Sequence, residues 1–245
     1  MCWLVGLLVV FGFNNPSDPI TVYLIGDSTM SEKAVRAYPE TGWGMPFAYF
    51  FDESVKVDNR AMNGRSTRTF IEETRWQPVV DGLKAGDYVL IQFGHNDEVE
   101  TKKSYTTPTE FRQNLIRFIE ESRAKDARPV LITPVARRQF DDNGKIVGTH
   151  DAYSELTRAV ARETNTPLID LDRQSQQLLQ AFGSENSKLL FLQLAPGEHP
   201  NYPDGKVDNT HFSELGARKM AQLVLASIKE LQLPLADRII KPKTK

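Results

Sequence analysis

Four segments of the chain carry side chains or backbone groups suited to nucleophilic chemistry. In Gly26-Asp27-Ser28-Thr29 a glycine permits a tight turn, and the serine that follows can present a hydroxyl. In Ala61-Met62-Asn63-Gly64-Arg65-Ser66, Gly64 can expose its amide to a ligand oxygen. In Phe93-Gly94-His95-Asn96-Asp97, Asn96 offers a side-chain N–H to a developing oxyanion. In Val207-Asp208-Asn209-Thr210-His211-Phe212-Ser213 a carboxylate and an imidazole stand three positions apart. A tight loop at that spacing can set Asp208 on one ring nitrogen of His211 and leave the other free to take a proton from serine. Taken singly, each segment also reads as ordinary surface structure. Ser28 sits in a common type of turn in which Asp27 can hold nearby amides, and Gly64 and Asn96 fit turns of their own. His211 can equally be a surface histidine ahead of Ser213, a helix N-cap.

Other chemistries find no support. The chain lacks a Gly-x-Ser-x-Gly elbow, a Walker-type loop, a Gly-x-Gly-x-x-Gly fingerprint and a His-Glu-x-x-His motif. His95, His150, His199 and His211 are too scattered to define a metal site by spacing. The single cysteine, Cys2, excludes an intramolecular disulfide and any cysteine-based zinc site. Neither a metal nor a cofactor is therefore expected.

The elements that must position these groups alternate along the chain. Short apolar runs at Ile20 to Ile25, Val55 to Asp58, Tyr88 to Phe93, Val130 to Thr133 and Pro167 to Asp170 read as buried strands. Helical periodicity lies between them: Phe111, Leu115, Phe118 and Ile119 after Pro108, then Leu156, Ala159, Val160 and Thr164 after Asp151. A last helix is expected from Glu214 to Leu231. This alternation predicts an α/β fold, a central parallel sheet with helices on both faces. In such sheets ligands bind at the carboxyl ends of strands, where the first three segments fall. Turn residues at Asp141-Asp142-Asn143-Gly144 and Pro203-Asp204-Gly205 mark surface excursions.

At 245 residues, with 40% hydrophobic and 25% charged content, the chain suits one soluble domain. A net charge of −2 supplies no field for gathering phosphate backbones or an anionic membrane, so nucleic acid is not an expected partner. The uncharged run from Cys2 to Phe13 resembles the core of a secretion signal and is too short to span a bilayer. No Lys or Arg precedes it and no small-x-small site follows, so a buried N-terminal segment is the alternative. The expected organisation is a signal remnant over 1–15, one domain over 20–233 and a Lys-rich tail over 234–245, with a secreted or periplasmic location.

Taken together and in order, Gly26-Asp27-Ser28, Gly64, Gly94-x-Asn96-Asp97 and Asp208-x-x-His211 resemble the four blocks of the SGNH, or GDSL, hydrolase family. With Thr29-Met30, Gly42-Trp43-Gly44, Asn63-Gly64-Arg65-Ser66, His95 and Thr210-His211-Phe212, the chain is similar to the rhamnogalacturonan acetylesterase branch. The resemblance implies a three-layer α/β/α sandwich of flavodoxin-like type and removal of acetyl groups from pectic rhamnogalacturonan. It also implies Ser28 as nucleophile, His211 as general base, Asp208 as its orienting partner, and an oxyanion hole from Ser28, Gly64 and Asn96. Acetylated xylan, a small or lipid ester, and a non-catalytic carbohydrate-binding role are the competing expectations. Arg65, Arg68, Arg137, Arg138 and Lys206 are candidates to pair with uronate carboxylates, and Trp43 or Tyr202 to stack on a sugar.

Overall fold

A computed structural model describes residues 19–241. In chain order the elements are β1 (Ile20–Gly26), α1 (Gly44–Phe47), β2 (Val55–Asn59), α2 (Thr67–Glu72), α3 (Gln77–Gly82), β3 (Tyr88–Gln92) and α4 (Pro108–Arg123). They continue with β4 (Arg128–Ile132), α5 (Asp151–Glu163), β5 (Leu168–Ile169), α6 (Leu171–Asn186), β6 (Phe191–Leu194), β7 (Lys206–Phe212) and α7 (Glu214–Glu230).

Strands β1 to β5 form one sheet, in the order β2-β1-β3-β4-β5, and every pairing is parallel. The strand period of two divides the core. Val22, Leu24, Leu90, Val130 and Ile132 face a layer containing Phe47, Leu179, Met220 and Val224. Tyr23, Ile25, Val89, Ile91 and Leu131 face Phe70, Phe111, Phe118 and Val160 on the other side. This is the expected α/β/α sandwich, and its strand order is the flavodoxin-like one, which reverses between β1 and β3. The ends of those two strands border the crevice where such folds take ligands.

Three local readings are corrected. The buried stripe of α5 is Tyr153, Thr157, Val160 and Ala161, with Leu156 at its margin, because α5 turns its aromatic residue toward Phe111. The segment carrying Asp208 and His211 is not a loop but strand β7, paired antiparallel with β6. Ordered chain also continues past 233: Pro234–Arg238 forms a 3₁₀ turn, Leu235 is fully buried, and Ile239 bridges to Phe51. Apolar burial anchors this segment, which the loss of helical period had placed in the tail. The residues assigned to a signal, and 242–245, lie outside those described.

Candidate active site

The turn after β1 is built to hold Ser28 at its tip. Asp27 is buried, and its Oδ1 accepts from Thr29 N at 2.9 Å and Thr29 Oγ1 at 2.8 Å. Gln92, a polar residue ending the fully buried β3, donates to Thr29 Oγ1 at 2.7 Å and accepts from Trp43 Nε1 at 2.7 Å. Trp43 is fully buried, so it locks the turn rather than stacking on a sugar. The Gly42-Trp43-Gly44 segment presses its backbone on the same turn, with Trp43 N donating to Thr29 O and Gly44 N to Met30 O. A Cβ on Gly42 would lie 2.0 Å from Ser31 O, which explains the glycine there.

From the opposite side of the crevice β7 brings in the acid and base. Asp208 Oδ1 accepts from the backbone N–H of Thr210 at 2.8 Å and of His211 at 2.9 Å. Asp208 Oδ2 lies 2.9 Å from His211 Nδ1, and His211 Nε2 lies 2.9 Å from Ser28 Oγ. An ionised carboxylate only accepts, so Nδ1 carries the ring proton and Nε2 is left to accept from the Ser28 hydroxyl. Burial alone would raise the Asp208 pKa, but the His211 ring, the His211 amide and the Thr210 amide together hold it well below the usual range. Phe212 anchors β7 in the core, and Ser213 caps α7 as expected, accepting from Gly216 N at 3.2 Å.

The turn after β2 supplies Gly64. Arg65 N donates to Met62 O at 3.2 Å, and Gly64 has φ +76°, a left-handed value that favours glycine at the third turn position. Among the described residues, neither the Ser28 nor the Gly64 amide has an intramolecular acceptor. Asn96, after β3, is buried and donates from Nδ2 to Arg65 O at 3.1 Å. Asp97 ties this turn to α2, accepting from Thr67 N at 2.8 Å, Thr67 Oγ1 at 2.7 Å and Gly94 N at 3.1 Å. The four sequence segments thus meet at one crevice: His211 Nε2 reaches Ser28 Oγ, Ser31 Oγ of the first turn reaches Asn63 Oδ1 of the second, and Asn96 Nδ2 of the third reaches Arg65 O.

Behind the crevice lies a polar layer that sequence reasoning left aside. His95 Nδ1 is 3.4 Å from Asp27 Oδ2, the His95 and His150 rings are 4.1 Å apart, and His150 Nδ1 is 2.8 Å from Glu98 Oε1. Burial works against an ionised Asp27, yet the neighbouring His95 and the Thr29 donors bring its pKa down to about 2. Gln92 had a signal in sequence, an amide inside an apolar strand, and His95 stood in the strand-end segment; Glu98 directly follows that segment and His150 comes from the distant loop before α5, and neither had one.

The cations expected to meet uronates are largely engaged within the protein. Arg65 pairs with Glu73, Arg68 with Glu72 and the Lys103 carbonyl, Arg137 with Thr210, and Arg138 with Asn209 and the Ser184 carbonyl. Tyr202 is half-buried and donates to Ala37 O at 2.8 Å. Exposed aromatic rings are found instead at Tyr38 and Tyr49, in a cleft of about 690 Å³ that Lys33, Glu214 and Arg218 also line.

The chain is similar to several known proteins. Rhamnogalacturonan acetylesterase RhgT of Bacillus subtilis (strain 168) is 46% identical over 228 residues, which span 93% of this chain and 97% of that protein. The crystal structure of protein YxiM from Bacillus subtilis superposes with a TM-score of 0.76 at 27% identity, over 89% of this chain and 58% of its own. A catalytic mutant of Axe2, an acetylxylan esterase from Geobacillus stearothermophilus, shares the fold with a TM-score of 0.62 at 18% identity, over 86% of this chain and 95% of its own. The model of the GDSL-like lipase/acylhydrolase family matches residues 24–219, from the middle of β1 into α7, and this chain belongs to that family.

Proposed function

We propose that this chain is a serine esterase that removes acetyl groups from rhamnogalacturonan through an acetyl-enzyme. The observation that carries this reading is the continuous Ser28–His211–Asp208 chain, with 2.9 Å at each side-chain contact. Ser28 Oγ attacks the ester carbonyl while His211 Nε2 takes its proton, and Asp208 holds the ring and stabilises the imidazolium. His211 then returns the proton to the departing sugar oxygen. Water, deprotonated by the same imidazole, releases acetate. The amides of Ser28 and Gly64 and the Asn96 side chain receive the oxyanion in both steps, supplying charge stabilisation that ground-state binding does not use.

Two observations support a pectic polymer as substrate. The RhgT relative is named for rhamnogalacturonan and matches nearly its whole length. The cleft beside Lys33 is far larger than an acetyl group, and the exposed rings of Tyr38 and Tyr49 suit the apolar faces of sugars. A substrate of this size is met outside the cytoplasm, and the apolar run from Cys2 to Phe13 supports export. Among the described residues no helix is long and apolar enough to cross a membrane.

The test is acetate release from acetylated rhamnogalacturonan, beside equally acetylated xylan and a small aryl acetate, with Ser28→Ala as the blank. Release mainly from the pectic polymer, abolished in the folded variant, is expected. Equal release from all three would remove the substrate assignment, and an unimpaired Ser28→Ala enzyme would remove the mechanism.

A further inference from the structure

We propose that Lys33 and Arg65 are positioning residues that clamp the Asn63–Gly64 peptide against the Ser28 turn and strengthen the Gly64 N–H as an oxyanion donor. The inference rests on the oxyanion role proposed above for Gly64. The Lys33 ammonium has three protons and three acceptors: Ser28 O at 2.6 Å, Asn63 Oδ1 at 2.8 Å and Glu40 Oε1 at 2.8 Å. Its side chain is only 2% exposed, so it is not a free cation awaiting a substrate carboxylate. Burial pulls its pKa down, and Glu40 opposes this. Enclosing an ammonium carries a desolvation cost, and the return here is a tie between two loops that follow different strands. Ser31 Oγ adds to the tie, donating to the same Asn63 oxygen at 2.5 Å.

Arg65 acts on the other end of Asn63. Its Nη1 donates to the Asn63 backbone carbonyl at 2.8 Å, while its Nε holds Glu73 Oε2 at 2.9 Å. The Asn63 carbonyl and the Gly64 N–H belong to one trans peptide and point in opposite directions. A guanidinium on the oxygen therefore leaves the N–H aimed away from it and polarises the amide, which makes the N–H a stronger donor. Each cation is itself paired with a carboxylate, Lys33 with Glu40 and Arg65 with Glu73, so the effect on the N–H comes through the direct hydrogen bonds and the geometry they hold. No heavy atom would crowd a Cβ at Gly64, so the glycine is there for its backbone angle, the angle that this clamp maintains.

The experiment compares Lys33→Met, Arg65→Met and Arg65→Lys with wild type and with Ser28→Ala. Hydrolysis of 4-nitrophenyl acetate is measured alongside inhibition by phenylboronic acid. That inhibitor's boron takes up the Ser28 oxygen to give a tetrahedral anion, with the serine proton passing to His211. Each Met variant should lower kcat by about 10- to 100-fold, the range for losing a hydrogen bond to a charged group, while KM moves by less than about threefold. The inhibition constant should rise by the same factor as kcat/KM falls, and Arg65→Lys should recover part of the loss. Arg65 is partly exposed, so Arg65→Met decides the matter if Lys33→Met does not fold. Unchanged kcat and boronate affinity in a folded Met variant would overturn the inference and leave the triad standing. A raised KM at unchanged kcat would also overturn it, because the cations would then be binding substrate. Activity surviving in Ser28→Ala would instead strike the reading on which the inference rests.

Discussion

Replacing Asp208 with asparagine tests the acid–base chain with little change in shape. Oδ1 of Asp208 already accepts two backbone N–H groups, from Thr210 at 2.8 Å and His211 at 2.9 Å. In the variant only the amide oxygen can satisfy those donors, so the amide nitrogen must take the Oδ2 place, 2.9 Å from His211 Nδ1. Two donors then face each other unless the imidazole changes tautomer, and the other tautomer puts its proton on Nε2, against Ser28. Forcing the productive tautomer loses a charge-assisted hydrogen bond, about 1.5–3 kcal/mol, and leaves a part-buried donor facing another, about 1–3 kcal/mol more. The sum, about 2.5–6 kcal/mol, corresponds to a loss of roughly 10² to 10⁴ in kcat. The upper end meets the ~10⁴ observed when such a triad aspartate becomes asparagine in a serine protease. The assay is steady-state acetate release on the polymer and on an aryl acetate, with folding checked by urea denaturation. A folded Asp208→Asn enzyme within tenfold of wild-type kcat would refute the assigned proton path.

Other expectations concern the groups around that chain. Asn96→Ala should cost about 10²- to 10³-fold in kcat with little change in KM, the signature of one lost oxyanion donor; an effect confined to KM would assign Asn96 to substrate binding instead. Gly42→Ala places a methyl 2.0 Å from the Ser31 carbonyl oxygen, so the backbone behind the nucleophile must move; a drop of about 2 kcal/mol or more from the urea midpoint is expected, and an unchanged midpoint would contradict the packing. Burial and the neighbouring His95 hold His150 down to about 4, with Glu98 opposing, so the folded state keeps it neutral where the unfolded chain, near 6.5, begins to bind a proton. That contribution is complete above about pH 6.5 and is lost as pH falls through about 4, on the order of 3 kcal/mol in all. His150→Asn should flatten the decline in urea midpoint between neutral pH and about pH 4.5, and an equally steep decline would place its source elsewhere.

The parallel sheet was legible because strands buried on both faces are written as short apolar runs, and Ile20 to Ile25 and Tyr88 to Phe93 needed no partner to be recognised. The Ser28, Gly64, Asn96 and Asp208–His211 segments were legible as types at spacings, and local rules also gave the Ser213 cap. Strand β7 was not legible, because its outward residues Lys206, Val207 and Asn209 are exposed and its pairing with Phe191–Leu194 is a contact across an excursion of eleven residues. The same limit applies to the surroundings of the nucleophile. Nothing in the local sequence marks Lys33 as a buried three-way tie, or Trp43 as a donor to Gln92 rather than a sugar platform. The sequence by itself determined which chemistry the chain could hold, since side-chain type and strand-end position are local properties. Only the tertiary structure decided that His211 meets Ser28 across 183 positions and which cations are already spoken for. Both follow from packing between elements, whose energy depends on distances that no stretch of sequence encodes alone.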